Sequence, residues 1–233
     1  MTKLRRDVSL LVEPTRAMQR QIADISRDTV AQLFRDRHQR LSADELLAGG
    51  FIDSIEVDPT NDPTPMVDIE LGDMVVVLPP SAWQNARARG LDHLDVLSFT
   101  PAEVWQQLRS LGETLGLSEL TLSGLWGDRS SGRSPHRAGR GVDLSAAVGP
   151  GGRLSFRTEQ SGSRRDPPAM IEALLTWARL RPEQVTQVLC PWWIWTADGV
   201  DRANTSSNAR ERGHLDHLHL TIAPTRVSLG GTP

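Results

Sequence analysis

Four of the six histidines in this 233-residue chain fall in two short stretches, SPHRAGRGVDL at 134–144 and GHLDHLHLTI at 213–222. The first places His136 seven residues before Asp143, and the second carries His214, Asp216, His217 and His219. Imidazoles and a carboxylate are the donors a catalytic zinc site uses, three from the protein with one position left for water. Such ligands are easiest to hold on or beside rigid strands. His136 lies in a loop just before the strand candidate GVDLSA, and Asp143 lies within it. His217 and His219 stand two apart in HLHLTIA, so period-two alternation sends both to one side of a sheet. One of them can then bind metal while the other faces the same cavity. Gly139 and Gly141 let the intervening loop fold tightly enough for His136 and Asp143 to reach one ion. Neither pair is specific alone, but their conjunction is.

The elements that must position these residues are legible in part. From Thr100 the sequence predicts a helix with Thr100 as cap, Pro101 in the first position and a buried stripe of Val104, Leu108, Leu111 and Leu115. An alternating strand ELTLSGLW follows, then a loop over 127–141, the strand GVDLSA and a glycine-rich turn at 149–152. A helix from about Pro168 to Leu180, the strand QVTQVLC, a tryptophan-rich loop over 191–199 and the final strand complete the chain. PWWIWTADG packs three tryptophans into four residues, which reads either as core filling or as an apolar wall for a ligand. Upstream, Met18, Ile22, Ile25 and Leu33 share one helical face. Ser42 and Glu45 form a capping box, 53–65 reads as a loop, and MVDIEL and DMVVVLP form a hairpin turning at Gly72.

Strands and helices interleave without a repeated βαβ unit, so the expected class is α+β. The expected architecture is a small antiparallel sheet carrying the metal site, flanked by helices, with an N-terminal helical and hairpin extension. Residues 1–40 carry nine basic and five acidic side chains, and 41–103 carry two basic and twelve acidic. From this contrast we expect an extension over 1–95 and a catalytic domain over 96–233.

A net charge of -3 excludes the strongly basic surface of a nucleic-acid binder. No run reaches the length of a membrane-spanning helix. The single cysteine, Cys190, ends an apolar run and reads as a buried thiol. The opening MTKLRRDVSLLVEPTR has only a short apolar run broken by Glu13 and Pro14, unlike a secretory signal. The expectation is synthesis in the cytoplasm, with neither nucleic acid nor membrane as partner.

SPHRAGRGVDL resembles the S-x-H-x-x-G-x-x-x-D signature of the D-Ala-D-Ala metallopeptidase, lysostaphin and Hedgehog group. GHLDHLHLTI is similar to the H-x-x-H-x-H closing motif of the penicillin-insensitive murein endopeptidases in that group, and GDRSSGR resembles the stretch preceding their first ligand. The resemblance covers roughly 118–223. Arg137 stands where those endopeptidases have glutamine, and Gly141 where they have alanine or aspartate.

The resemblance implies Zn2+ held by His136, Asp143 and His219, with His217, His214 and Asp216 as catalytic residues and the choice of general base among them open. It implies a peptidoglycan hydrolase, a D,D-endopeptidase acting on cross-links. The alternatives are a carboxypeptidase or an L-Ala-D-Glu-type lysin of the same group, or a zinc-binding structural module without activity. Arg129, Arg133 and Arg137, in the loop entering the site, are the expected anchors for substrate carboxylates. A wall hydrolase without a signal peptide would reach its substrate on lysis, as an endolysin does, or as an effector delivered by a phage tail or contractile injection scaffold docked through the N-terminal region.

Overall fold

In a computed structural model the described residues are 40–58, 60, 65–88, 90–126, 134–157 and 166–224. The chain divides into two compact units, Met1–Arg40 and Leu41–Pro233. The helix expected over 15–40 lies outside the described residues.

The second unit is α+β, built on one mixed sheet of ten strands. In chain order these are β1 (Ser54–Asp58), β2 (Met66–Leu71), β3 (Met74–Leu78), β4 (Glu119–Gly124), β5 (Gly141–Gly149), β6 (Gly152–Ser155), β7 (Val185–Leu189), β8 (Trp193–Thr196), β9 (Asp201–Ala203) and β10 (Leu218–Ile222). Their order across the sheet is β1-β2-β3-β4-β5-β10-β7-β8-β9, with β6 paired to β5. All neighbours run antiparallel except β3 and β4. The sheet is therefore large and mixed, where the sequence led us to expect a small antiparallel one. The reason is that the MVDIEL hairpin does not form a separate extension: β3 pairs with β4 through Val76 and Leu120. The boundary expected at 95/96 thus falls inside the sheet-bearing unit, which begins at Leu41, beside the charge reversal. Charge composition marks what faces solvent, whereas core contacts set a domain.

Six helices accompany the sheet among the described residues: α1 (Ala43–Ala48), α2 (Pro80–Arg87), α3 (His93–Ser98), α4 (Ala102–Leu115), α5 (Ala169–Arg179) and α6 (Ala209–Arg212). Ser42 and Glu45 form the expected capping box on α1. The cap expected at Thr100 is not there. Its hydroxyl donates to the Val96 carbonyl, closing α3, and Pro101 takes the N-cap position of α4. Val104, Leu108 and Leu111 of α4 are fully buried, as expected, beside Trp105, while Leu115, also expected in the stripe, is only partly buried in the last turn. Helix α4 packs on β2, β3 and β10, and α5 packs on α4 and β7. Val67, Ile69, Leu71, Leu120, Leu122, Val142, Leu144, Leu218 and Leu220 fill the core, while alternate strand positions point away from it.

Two loop readings are corrected. Residues 54–58 pair with β2 as an edge strand, because Ile55 and Val57 alternate with acidic residues just outside the Pro-rich turn. The tryptophan-rich segment contains β8, with Trp195 buried at 5 % exposure and Trp192 and Trp193 packed partly buried against the core. Trp193 Nε1 donates to Asp201 Oδ1 at 2.6 Å, which fixes β8 against β9. Cys190 is buried, as expected, and burial pushes its thiol up to about 11.

Candidate metal centre

The site forms where β5 meets β10. Asp143 pairs directly across the ladder with His219, so their side chains emerge together on the sheet face away from the core. His136 arrives from the turn before β5, in which Gly139 adopts φ +69. Gly141 is required by close packing: a Cβ there would stand 2.9 Å from the His136 backbone nitrogen and 3.0 Å from its ring.

The three side chains meet. His136 Nε2 lies 3.2 Å from His219 Nδ1 and 3.2 Å from Asp143 Oδ1, and His219 Nδ1 lies 2.7 Å from Asp143 Oδ1. The hydrogen bonds on their far sides decide which nitrogens carry protons. His136 Nδ1 is 2.6 Å from the Leu125 carbonyl, which can only accept, so Nδ1 carries the proton and Nε2 is the lone pair. The Thr221 hydroxyl donates to Gln187 Oε1 at 3.2 Å and so accepts from His219 Nε2 at 2.9 Å, which leaves His219 Nδ1 as the lone pair. Two imidazole lone pairs and a carboxylate oxygen therefore converge with no proton of their own between them.

Such a cluster attracts positive charge, as proton or as metal. The titration behaviour expresses the same demand. Burial opposes charge on His136, but the hydrogen bond and charge of Asp143 outweigh it and hold its pKa above the ordinary histidine value. Burial would raise Asp143, yet His136 and His219 bring it well below the usual carboxylate range. Burial dominates at His219 and lowers it, favouring the neutral ring a metal ligand needs.

The donor set fits a metal ion. All three ligand atoms lie within 4.8 Å of one another. Ligands ~2.0 Å from a tetrahedral zinc stand about 3.3 Å apart, close to the 3.2 Å separations of His136 Nε2 from its two partners. The far-side contacts to Leu125, Thr221 and Gln187 are the kind of outer shell that orients metal-bound histidines. His136, Asp143 and His219 could thus hold a metal ion.

The remaining expected residues surround this cluster. His217 precedes β10 by one residue and is not within the strand as expected, yet its Nε2 still reaches 3.5 Å from Asp143 Oδ1. Its Nδ1 donates to Asp216 Oδ1 at 2.8 Å, which makes Nε2 the free lone pair. The Asp216 side chain is 67 % exposed and points along the rim. His214 Nδ1 donates to the Arg210 carbonyl at 2.6 Å, and its ring lies 5.0 Å from that of His217 and 5.3 Å from that of His219. Burial pulls His214 down to about 4, against the Arg210 carbonyl, with His219 and His217 adding to the fall. Its ring is consequently neutral at neutral pH.

A cleft of about 540 Å³ opens beside the cluster, lined by Asp143, Asp216 and His217 together with Arg153, Ser155 and Arg157. Arg137 is exposed on the turn after His136 and is not part of this cleft, while Arg129 and Arg133 lie outside the described residues. Sequence reasoning missed the arginines of the β5–β6 hairpin because nothing local links residues 153–157 to the histidines. It missed Thr221 too, although that residue stands two after His219 on the same face of a strand.

The segment bearing His214 and His217 is tied down by a buried carboxylate. Glu211, 2 % exposed, accepts from Arg202 at 2.6 Å, from Asn208 Nδ2 at 2.8 Å, and from the backbone and hydroxyl groups of Thr205 and Ser207. Its own carbonyl accepts from the His214 backbone at 3.2 Å. No helix among the described residues is long and apolar enough to cross a membrane.

No family model, curated protein or solved structure matches the chain. The geometry of this site therefore carries the functional reading.

Proposed function

We propose that the chain is a zinc metallopeptidase that hydrolyses peptidoglycan, a D,D-endopeptidase acting on cross-links. The observation that carries this reading is the convergence of the His136, Asp143 and His219 lone pairs, with the lone pair of His217 beside them on an open sheet face. Two histidines and one carboxylate suit zinc better than magnesium or calcium, which take oxygen ligands. Zinc, when bound, supplies Lewis acidity that acidifies water and polarises an amide carbonyl.

The protein's own groups supply the rest. His217 Nε2 accepts the proton of the attacking water and returns it to the departing amine nitrogen. Asp216 holds His217 Nδ1–H at 2.8 Å and so keeps the basic nitrogen turned inward. Asp216 is an orienting group in this scheme and not the base. His214, neutral and anchored to Arg210, walls the other side of the centre. The substrate class rests on the likeness of 134–144 and 213–222 to the murein endopeptidases. Access to the wall on lysis, or delivery by a tail or injection scaffold through the N-terminal region, belongs to the same proposal.

The test is digestion of isolated sacculi by the zinc-loaded protein, with His136→Ala as control and fragments identified by mass spectrometry. Conversion of cross-linked dimers to monomers is the expected result. Release of terminal D-alanine alone would move the reading to carboxypeptidase, and no release from sacculi of several chemotypes would overturn it.

A further inference from the structure

The two strands that flank β5 on one side part around Ser145. β10 occupies that edge as far as Leu218, opposite Leu144, and β6 occupies it from Ser155, opposite Ala146, with the Phe156 backbone nitrogen bonded to the Ser145 carbonyl. Arg157 leaves β6 at this gap, and His217 and Asp216 enter β10 from it. That is why Arg157 shares a cleft with His217 and Asp143 although 60 residues separate it from His217.

The two arginines on the wall differ. Arg153 is committed: its guanidinium bonds Glu119 Oε1 at 2.8 Å and Thr121 Oγ1 at 3.3 Å. No carboxylate among the described residues pairs with Arg157. The carboxylates on the cleft wall near it are already engaged, Asp143 by His136 and His219 and Asp216 by His217. A planar fork of donors with no carboxylate partner among the described residues, on the lining of a polar cleft, is suited to a carboxylate brought by the ligand.

We infer that Arg157 is the specificity-determining residue of the site and recognises a free carboxylate of a peptide substrate. This rests on the peptidase reading above. It shifts anion recognition from the loop entering the site, where the sequence suggested it, to the β6 side of the cleft.

The test uses calorimetric binding of a peptidoglycan stem tripeptide, and of the same tripeptide with its carboxylates amidated, to the zinc-loaded full chain, with recovery of intact peptide checked by mass spectrometry. The wild type is expected to bind the free-carboxylate form about tenfold more tightly, the scale of one charge-assisted hydrogen-bonded pair. Arg157→Gln should bind both forms alike, and Arg153→Gln should keep the preference. A preference retained in Arg157→Gln, or none in the wild type, overturns the inference. An Arg157-dependent preference alongside undigested sacculi supports the carboxylate subsite and removes the peptidase reading. Digested sacculi without such a preference do the reverse.

Discussion

Asp216 and His217, adjacent in sequence, form a carboxylate–imidazole pair in which Asp216 Oδ1 accepts from His217 Nδ1 at 2.8 Å, leaving Nε2 only 3.5 Å from Asp143 Oδ1. In the proposed function the three candidate bases take separate roles, with His217 the base and Asp216 its orienting partner. Asp216→Asn should reduce kcat by about 10- to 100-fold, the usual scale for losing an orienting partner, with zinc content and KM unchanged. Steady-state rates on a soluble cross-linked muropeptide measure this. An equal fall in zinc content would assign Asp216 to the metal instead.

The tautomer of His219 depends on Thr221 and Gln187. Thr221→Val keeps the shape of the side chain and removes the acceptor for His219 Nε2–H. Zinc affinity should fall about 10- to 100-fold by competition titration, with the fold retained by circular dichroism. Unchanged affinity would show that Thr221 does not set the orientation of that ring.

Gly141→Ala pushes a methyl group to 2.9 Å from the His136 backbone, and backbone cannot move as a side-chain tip can. The expected cost is about 1 to 3 kcal/mol in chemical denaturation, with loss of zinc binding, since His136 must shift. A variant with wild-type stability and zinc affinity would mean that the turn before β5 adapts.

Glu211 predicts an acid sensitivity. Arg202 first, and then the Ser207 and Thr205 donors, hold its carboxyl well below the usual range, against the burial that would raise it. A depressed folded-state pKa stabilises above the unfolded value, about 4.3, and that stability is lost as pH falls toward the folded value. The melting temperature should therefore fall between pH 5 and pH 3, and Glu211→Gln should be less stable than the wild type at pH 7 with a flatter acid limb. Parallel limbs for the two proteins would contradict the assignment.

The cluster of His136, Asp143 and His219 was legible because each part has a local signal. Asp143 lies in an alternating strand, His219 stands within another, and His136 precedes a glycine turn. The α4 stripe was legible for the same reason, as an apolar repeat over four turns. Features that depend on register between distant segments were not. The pairing of β3 with β4, which enlarges the sheet, joins residues more than 40 apart. Arg157 reaches the site only because β6 and β10 share one edge of β5. The capping role given to Thr100 went to Pro101, since α3 ends directly before α4 and Thr100 closes the earlier helix. Short elements such as α2, β1 and β9 carry too few residues for a periodic signal and are stabilised by their neighbours.

The most direct test of the metal centre is zinc stoichiometry combined with X-ray absorption at the zinc edge, on the wild type and on His219→Ala. One zinc per chain is expected, with two imidazole nitrogens and oxygen ligands at ~2.0 Å, and one imidazole fewer or no bound zinc in the variant. Substoichiometric zinc in the wild type, or the same coordination in both proteins, would contradict it.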